Sequence, residues 1–425
     1  MHKKFRLVFG AAALLAAVPL AAAEPRGDEP VAVPRSIKQG VDFVYVDPDM
    51  SSVAKRQQKP RNWLQRMFGG SRDDQRRAPN PLFLQLAQGL EQYRTTWGAL
   101  PQTDIPSGAV LKPGARGSRV ELLRTRLGLA PGGGYDDLLA QRVTAYQDVH
   151  GLDADGIAGR ATLASLNEGA VHYERRIAIN MERAWRLPAT NAFERYVVVD
   201  SGAAETHLFV RDRLTDSMRV VVGSAATKTP MIAVLMRNAK LNPYWNVPPD
   251  LIRTLTARRV QAQGLSYLQN FHYEVLPDWS ATARPIDPKT VNWRAIASAR
   301  TDPTIRVRQL PGPWNSMGEM KFEMPNDYGI YLHDTPHKEL FAADDRWLSN
   351  GCVRLEDYQR FATWVFGRMP QATSEVEQTV DLPRPVPVYM TYLTVAPSPG
   401  NGVVFRPDPY GFDALAMPQM EFARS

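Results

Sequence analysis

The chain has 425 residues, a formal net charge of +7 and a single cysteine, Cys352. One cysteine excludes an intramolecular disulfide, so apolar burial has to hold the fold together. The basic excess is mild and lacks the clustered aromatic and basic pattern of a nucleic-acid binder, so no nucleic-acid partner is expected, whereas an anionic surface or polymer suits it. This length exceeds what one core usually serves, and two or three domains are expected.

The first segment, 1–23, reads as a cleaved export signal. His2-Lys3-Lys4-Phe5-Arg6 is basic, Leu7 to Leu20 is apolar, and Ala21-Ala22-Ala23 supplies small residues for cleavage. The apolar run is short for a membrane span of about 20 residues. Loss of Lys3, Lys4 and Arg6 brings the charge to about +4. No later segment is apolar enough to span a membrane, so a soluble periplasmic protein without a transmembrane segment is expected.

Residues 24–80 show little periodic apolar pattern, and Lys55 to Arg77 is rich in Lys, Arg and Gln. This stretch reads as a disordered basic linker. Trp63, Leu64, Met67 and Phe68 fall at helical spacing and leave a tether to an acidic surface open. Across 81–107, Leu82, Leu86, Leu90 and Tyr93 mark one helical face, ending before Gly98.

The span 108–169 reads as a compact three-helix unit. Val120, Leu123 and Leu127 form one stripe, Val143, Tyr146 and Gln147 a second, and Ala161, Leu163 and Leu166 a third. Asp153 and Asp155 lie in the turn Gly151 to Gly156. They lack the rest of a calcium ligand set, so a turn with side-chain caps is expected and no metal. In 170–194 a further helical pattern, Ile177, Met181, Ala184 and Trp185, closes at Leu187-Pro188.

From Tyr196 the period changes to that of strands: Tyr196 to Val199, His207 to Val210, Met218 to Gly223, Ile330 to His333 and Val386 to Val395. A β-rich domain over 195–395 is expected. About 250–305 interrupts it with helical and polar sequence, as a lid or cap would. Residues 396–425 remain as a C-terminal extension.

Cys352 sits in Ser349-Asn350-Gly351-Cys352-Val353-Arg354, and His333 lies 19 positions upstream in Tyr331-Leu332-His333. A thiol becomes a strong nucleophile when an imidazole takes its proton or pairs with its anion. A histidine at a strand end and a cysteine opening the next segment would meet by folding. Gly351 leaves room for a substrate carbonyl at the Gly351 and Cys352 backbone N–H groups, an expected oxyanion hole. Arg354 adds positive potential for a thiolate and for a substrate carboxylate.

Two resemblances follow from these strings. Gly114-x-x-Gly117-x-x-Val120-x-x-Leu123, Ala145-Tyr146-Gln147 and Gly151-Leu152-x-x-Asp155-Gly156-x-x-Gly159-x-x-Thr162 resemble the small three-helix peptidoglycan-binding domain. His333, Ser349, Gly351, Cys352, Val353 and Arg354 resemble the active site of the YkuD-type L,D-transpeptidase domain. Leu241 to Pro249, Gln309 to Asn315, Lys321-Phe322 and Pro325 to Tyr328 resemble its large periplasmic subgroup. The expected fold is multidomain α+β: a β-rich catalytic domain with a capping insertion, and a peptidoglycan-binding domain inserted in a helical scaffold formed by 81–107 and 170–194.

The resemblance implies an acyl transfer on peptidoglycan stem peptides, with glycan as a further contact. Cys352 would attack the third residue of a tetrapeptide stem. His333 would donate and accept the proton, and the Gly351 and Cys352 amides would hold the oxyanion. Tyr331, Ser349, Asn350 and Arg354 would line or support the site, and no metal or organic cofactor is implied. Asn350 stands where many relatives carry histidine, and is expected to shape the turn through side-chain-to-backbone bonds. Ser349 is expected to orient the turn or His333. Tyr244 and Trp245 are either site or core aromatics. The product implied is a 3→3 crosslink. A wall carboxypeptidase or endopeptidase, an enzyme tethering an outer-membrane protein to the wall, and a non-catalytic wall binder are the alternatives.

Overall fold

The computed structural model describes residues 44–46, 50 and 79–419. The expected export signal and the basic stretch Lys55 to Arg77 lie outside them. Among the described residues no helix is long and apolar enough to cross a membrane.

Strand β1 (Val44–Tyr45) pairs in parallel with β5 (Ile232–Leu241). It falls inside 24–80, which sequence reasoning assigned to a disordered linker. Val44 and Val46 donate backbone hydrogen bonds to Met231 and Ala233. The β-branched and aromatic run Phe43 to Val46 supplies the strand propensity that this assignment overlooked.

Among the described residues, four α-helices lead the N-terminal half. Helix α1 (Pro81–Tyr93) starts at Asn80, whose side chain accepts from the Leu82 amide at 2.9 Å and donates to Pro188 at 2.8 Å. Helices α2 (Ser118–Arg126) and α3 (Asp137–Val149) follow, with Asp136 capping α3. Helix α4 (Arg160–Trp185) breaks at Gly169 (φ 79°), so the third stripe and the Ile177 pattern run as two helices end to end. The freed Ala170 amide donates to the Gln102 side chain at 2.8 Å.

The turn before α4 is locked as a capped turn. Asp155 accepts from the Ile157 amide, and Gln147 bridges Asp155, Ile157, Thr162 and the Gly156 amide. The four helices share one apolar core with the hairpin of β14 and β15 described below. At its centre His150 stacks on Tyr146 at 3.7 Å between ring centroids, with Tyr93, Trp97, Tyr173 and Phe405 around it.

The remaining strands are β2 (Arg195–Asp200), β3 (Glu205–Val210), β4 (Arg213–Gly223), β6 (Trp245–Asn246), β7 (Tyr273–Leu276), β8 (Arg306–Gln309), β9 (Met320–Glu323), β10 (Leu332–His333), β11 (Trp347–Ser349), β12 (Val353–Leu355), β13 (Gln378–Thr391), β14 (Val395–Ser398) and β15 (Gly402–Phe405). The main sheet runs β1-β5-β13-β2-β3-β4-β12-β10-β9, and β9 also pairs with β5, which closes it into a barrel. Strand β2 is a continuous apolar run because both its faces are covered. Val197 and Val199 point into the barrel core, while Tyr196 and Val198 join Tyr389, Tyr392, Tyr410 and Phe412 on the outside.

Helix α5 (Tyr358–Phe366) is capped by Asp357, ends at left-handed Gly367, and buries Phe361 and Val365 in the barrel core. The insertion is wider than the expected 250–305. Its three strands β6, β8 and β7 and its helical segments enclose a separate apolar cluster with Val247, Ile252, Leu268, Trp293 and Val307. At its root, buried Asn315 donates to the carbonyls of Pro243, Gln309 and Leu310.

The C-terminal extension folds back over the molecule. In helix α6 (Phe412–Ala416), Asp413 pairs with Arg183 at 2.6 Å and Arg176 at 3.0 Å on α4.

Candidate active site

Strands β10 and β12 lie parallel, with Leu332 opposite Val353 and His333 opposite Arg354. Leu332 and Val353 point into the barrel core. Side chains alternate along a strand, so Tyr331, His333, Cys352 and Arg354 come out together on the other face. The Val353 amide donates to Tyr331 at 2.9 Å and fixes this register. These four residues, with Ser349 and Asn350, line one cleft of about 980 Å³. Trp245, Tyr267, Trp279 and Trp314 of the insertion and its root line the same cleft.

His333 is buried, and its Nδ1–H donates to the Asp334 carbonyl at 2.5 Å. A carbonyl only accepts, so Nδ1 carries the proton and Nε2 of the neutral ring keeps its lone pair. Burial lowers the imidazole to about 3, assisted by the charges of Arg354, Lys321 and Lys338. Register explains two of these charges. Lys321 on β9 and Arg354 on β12 flank His333 from either side in one row across the sheet. Lys321 also sits over the Tyr331 ring, 3.7 Å from its centroid.

Cys352 is half-buried, and desolvation of its sulfur raises the thiol; the Tyr331 backbone N–H, Lys321 and Arg354 act in the opposite sense. The resting pair is therefore thiol and neutral imidazole, not thiolate and imidazolium. The Sγ lies 3.6 Å from the Gly329 carbonyl. Among the described residues no hydrogen bond joins it directly to His333.

The turn before Cys352 is held by Ser349, whose Oγ donates to the Cys352 carbonyl at 2.6 Å and accepts from the Gly351 amide at 3.1 Å. Two expectations change here. The Gly351 N–H is engaged by Ser349 and is not a free oxyanion donor, because the short turn folds the serine hydroxyl back onto it. Asn350 is exposed and makes no side-chain-to-backbone bond among the described residues; Ser349 does that work. The Cys352 N–H has no protein acceptor among the described residues. Gly351 takes φ +117°, and a Cβ there would come within 3.1 Å of Ile330, so the turn calls for glycine.

Arg354 has no carboxylate partner among the described residues, and its Nε is buried without a hydrogen bond. Trp245 lines the cleft, whereas Tyr244 instead stacks against the Arg308 guanidinium, 4.3 Å from ring centroid to Cζ. Sequence reasoning missed Lys321 and Thr229 as members of this neighbourhood. Lys321 joins through strand register and Thr229 through a loop contact, and neither leaves a spacing signal.

A thiol, an imidazole with a free lone pair and an unpaired cation on one face of a closed sheet suit acyl transfer. Residues 194–388 match the family model of the L,D-transpeptidase catalytic domain, YkuD. The barrel is similar to that family's catalytic domain. Residues 117–166, covering α2, α3 and the start of α4, match the model described as "Putative peptidoglycan binding domain". A Haemophilus influenzae protein named "Putative L,D-transpeptidase" is 29% identical over 247 residues, covering 56% of this chain and 48% of that protein. The chain thus spans about half the length of this curated relative.

Among solved structures, an L,D-transpeptidase from Xylanimonas cellulosilytica is 14% identical, with a TM-score of 0.21, covering 67% of this chain and 98% of that one. An L,D-transpeptidase from Mycobacterium smegmatis is 12% identical, with a TM-score of 0.21, covering 46% and 58%. At these scores the superpositions add nothing to the sequence-family match.

Proposed function

We propose that this protein is a cysteine-dependent L,D-transpeptidase that forms 3→3 crosslinks in peptidoglycan. The observation that carries the reading is the shared face of Cys352, His333 and Arg354 in one cleft of an L,D-transpeptidase catalytic domain. Arg354 receives a carboxylate of the donor stem, since no described residue supplies it with one. His333 Nε2 takes the thiol proton as the Cys352 sulfur attacks the third-residue carbonyl. The carbonyl π electrons move to oxygen, and the Cys352 N–H holds that oxyanion.

The imidazolium so formed is a strong acid, because burial and the neighbouring cations disfavour its charge. It hands its proton to the departing amine of D-alanine as the C–N bond breaks. The side-chain amine of a second stem then attacks the thioester carbonyl and loses its proton to His333; as the C–S bond breaks, its electron pair goes to sulfur and His333 returns the proton to Cys352. Acyl transfer by a thiol requires no redox change, and no cofactor is invoked. The peptidoglycan-binding helices suit retention on the wall, and the N-terminal sequence suits export to the periplasm. The resemblance of Leu241 to Pro249, Gln309 to Asn315, Lys321-Phe322 and Pro325 to Tyr328 to the large periplasmic subgroup supports the same reading.

Incubation with a disaccharide-tetrapeptide and fragmentation of the soluble products tests it. Dimers joined between two third residues support the proposal. Tripeptide alone would replace transfer by hydrolysis.

A further inference from the structure

The loop after β4 reaches the turn that carries Cys352. Ser224 N–H and the Thr227 hydroxyl both donate to the Ser349 carbonyl at 2.9 Å. Thr229 is fully buried, and its Oγ accepts from the Gly223 amide at 2.9 Å and donates to the Gly351 carbonyl at 2.7 Å. The backbone approaches so closely that a Cβ on Gly223 would lie 2.1 Å from the Thr227 carbonyl oxygen. Tyr410, beyond the matched catalytic domain, completes the assembly. Its hydroxyl donates to the Gly223 carbonyl at 2.6 Å and accepts from the Thr229 amide at 3.3 Å.

The Gly351 carbonyl and the Cys352 N–H belong to one planar trans peptide and point in opposite directions. Holding the carbonyl against buried Thr229 therefore directs the N–H away from Thr229, and Cys352 itself lines the cleft. A hydrogen bond accepted by the carbonyl also polarises the same amide and strengthens it as a donor. Gly351's own amide is already spent on Ser349, so the Cys352 amide is the donor of this turn left for an oxyanion.

We propose that Thr229 is a positioning residue for acyl transfer, aiming the Cys352 N–H at the developing oxyanion, and that Tyr410 of the C-terminal extension holds Thr229 in place. The proposal rests on the acyl-transfer reading of the site. It separates from that reading because alkylation of the same thiol by iodoacetamide passes through no oxyanion.

The test compares two rates in wild type, Thr229→Val, Thr229→Ser and Tyr410→Phe: acylation by the disaccharide-tetrapeptide and alkylation by iodoacetamide. Thr229→Val should slow acylation by about 10- to 100-fold, somewhat less than deleting an oxyanion donor outright, with alkylation unchanged. Thr229→Ser, which keeps the hydroxyl, should restore acylation. Tyr410→Phe should slow acylation less, again without touching alkylation, and it carries the test if Thr229→Val does not fold. Acylation at the wild-type rate in Thr229→Val, or in Tyr410→Phe where that variant stands in, overturns the proposal. Parallel loss of both rates also overturns it, since that marks a displaced thiol. A wild type that is alkylated but never acylated instead brings down the acyl-transfer reading.

Discussion

His333 and Arg354 face each other as register partners on parallel strands, and the guanidinium helps to keep the imidazole neutral. The same cation has no carboxylate partner among the described residues. One residue thus adds to burial in lowering the proton affinity of the base and offers a landing point for a substrate anion.

Removing that cation should have two separable effects. In Arg354→Met the imidazole becomes more basic, so the acid limb of the acylation pH profile should move to higher pH. Donor recognition should weaken by about 10- to 100-fold in kcat/KM, the range for losing a charge-assisted hydrogen bond. A pH–rate series on both proteins checks each part. An acid limb that stays in place would remove Arg354 from the control of His333.

Two buried histidines should make the fold sensitive to acid. Burial lowers both His333 and His150 to about 3. His150 is fixed as a neutral ring by its Nδ1 bond to Tyr146 at 2.7 Å and its Nε2 contact with Tyr93 at 3.0 Å. The unfolded chain protonates each near its ordinary value of about 6.5. As pH falls below that value the unfolded state binds protons that the folded state refuses, down to about 3. Stability should drop by about 1.4 kcal/mol per histidine per pH unit across this window. Urea melts from pH 7 to 4 should show the loss, and His333→Gln should flatten it by one histidine's share.

Asp413 holds the C-terminal extension to α4 by a buried pairing with Arg183 and Arg176, and it accepts from Thr394 at 2.5 Å. Asp413→Ala leaves both guanidiniums without their shared anion. It should cost about 3–5 kcal/mol, read as a lower urea midpoint. A change below about 1 kcal/mol would show that solvent takes over the pairing.

The insertion has its own apolar core and contributes aromatic walls to the cleft. Its removal should open the thioester to water. Replacing residues 245–309 by a short linker should raise the ratio of tripeptide to 3→3 dimer. An unchanged ratio would mean that the insertion does not control water access.

Periodicity and composition made part of this molecule legible. The stripes Leu86-Leu90-Tyr93 and Val120-Leu123-Leu127 mark helix faces because each faces a single core. The run Tyr196 to Val199 marks a strand because both its faces are covered. Cys352 and His333 stood out by chemistry and by their surrounding strings. Strand register was not legible, so Lys321 could not be placed beside His333 before the sheet was seen. Nor could the sequence say that Ser349 takes the Gly351 amide, since that depends on the backbone angles of one turn. Thr229 and Tyr410 reach the same turn from distant segments through tertiary contacts alone. The strand at Val44–Tyr45 carries a legible apolar run, Phe43 to Val46, but one too short to stand out in the long span 24–80.

The most direct test of the account is the intact mass of the wild type and of Cys352→Ala after incubation with the disaccharide-tetrapeptide. The account predicts a covalent adduct of the donor less D-alanine on the wild type and none on the variant. No adduct on a folded wild type, or an equal adduct on both proteins, would contradict it.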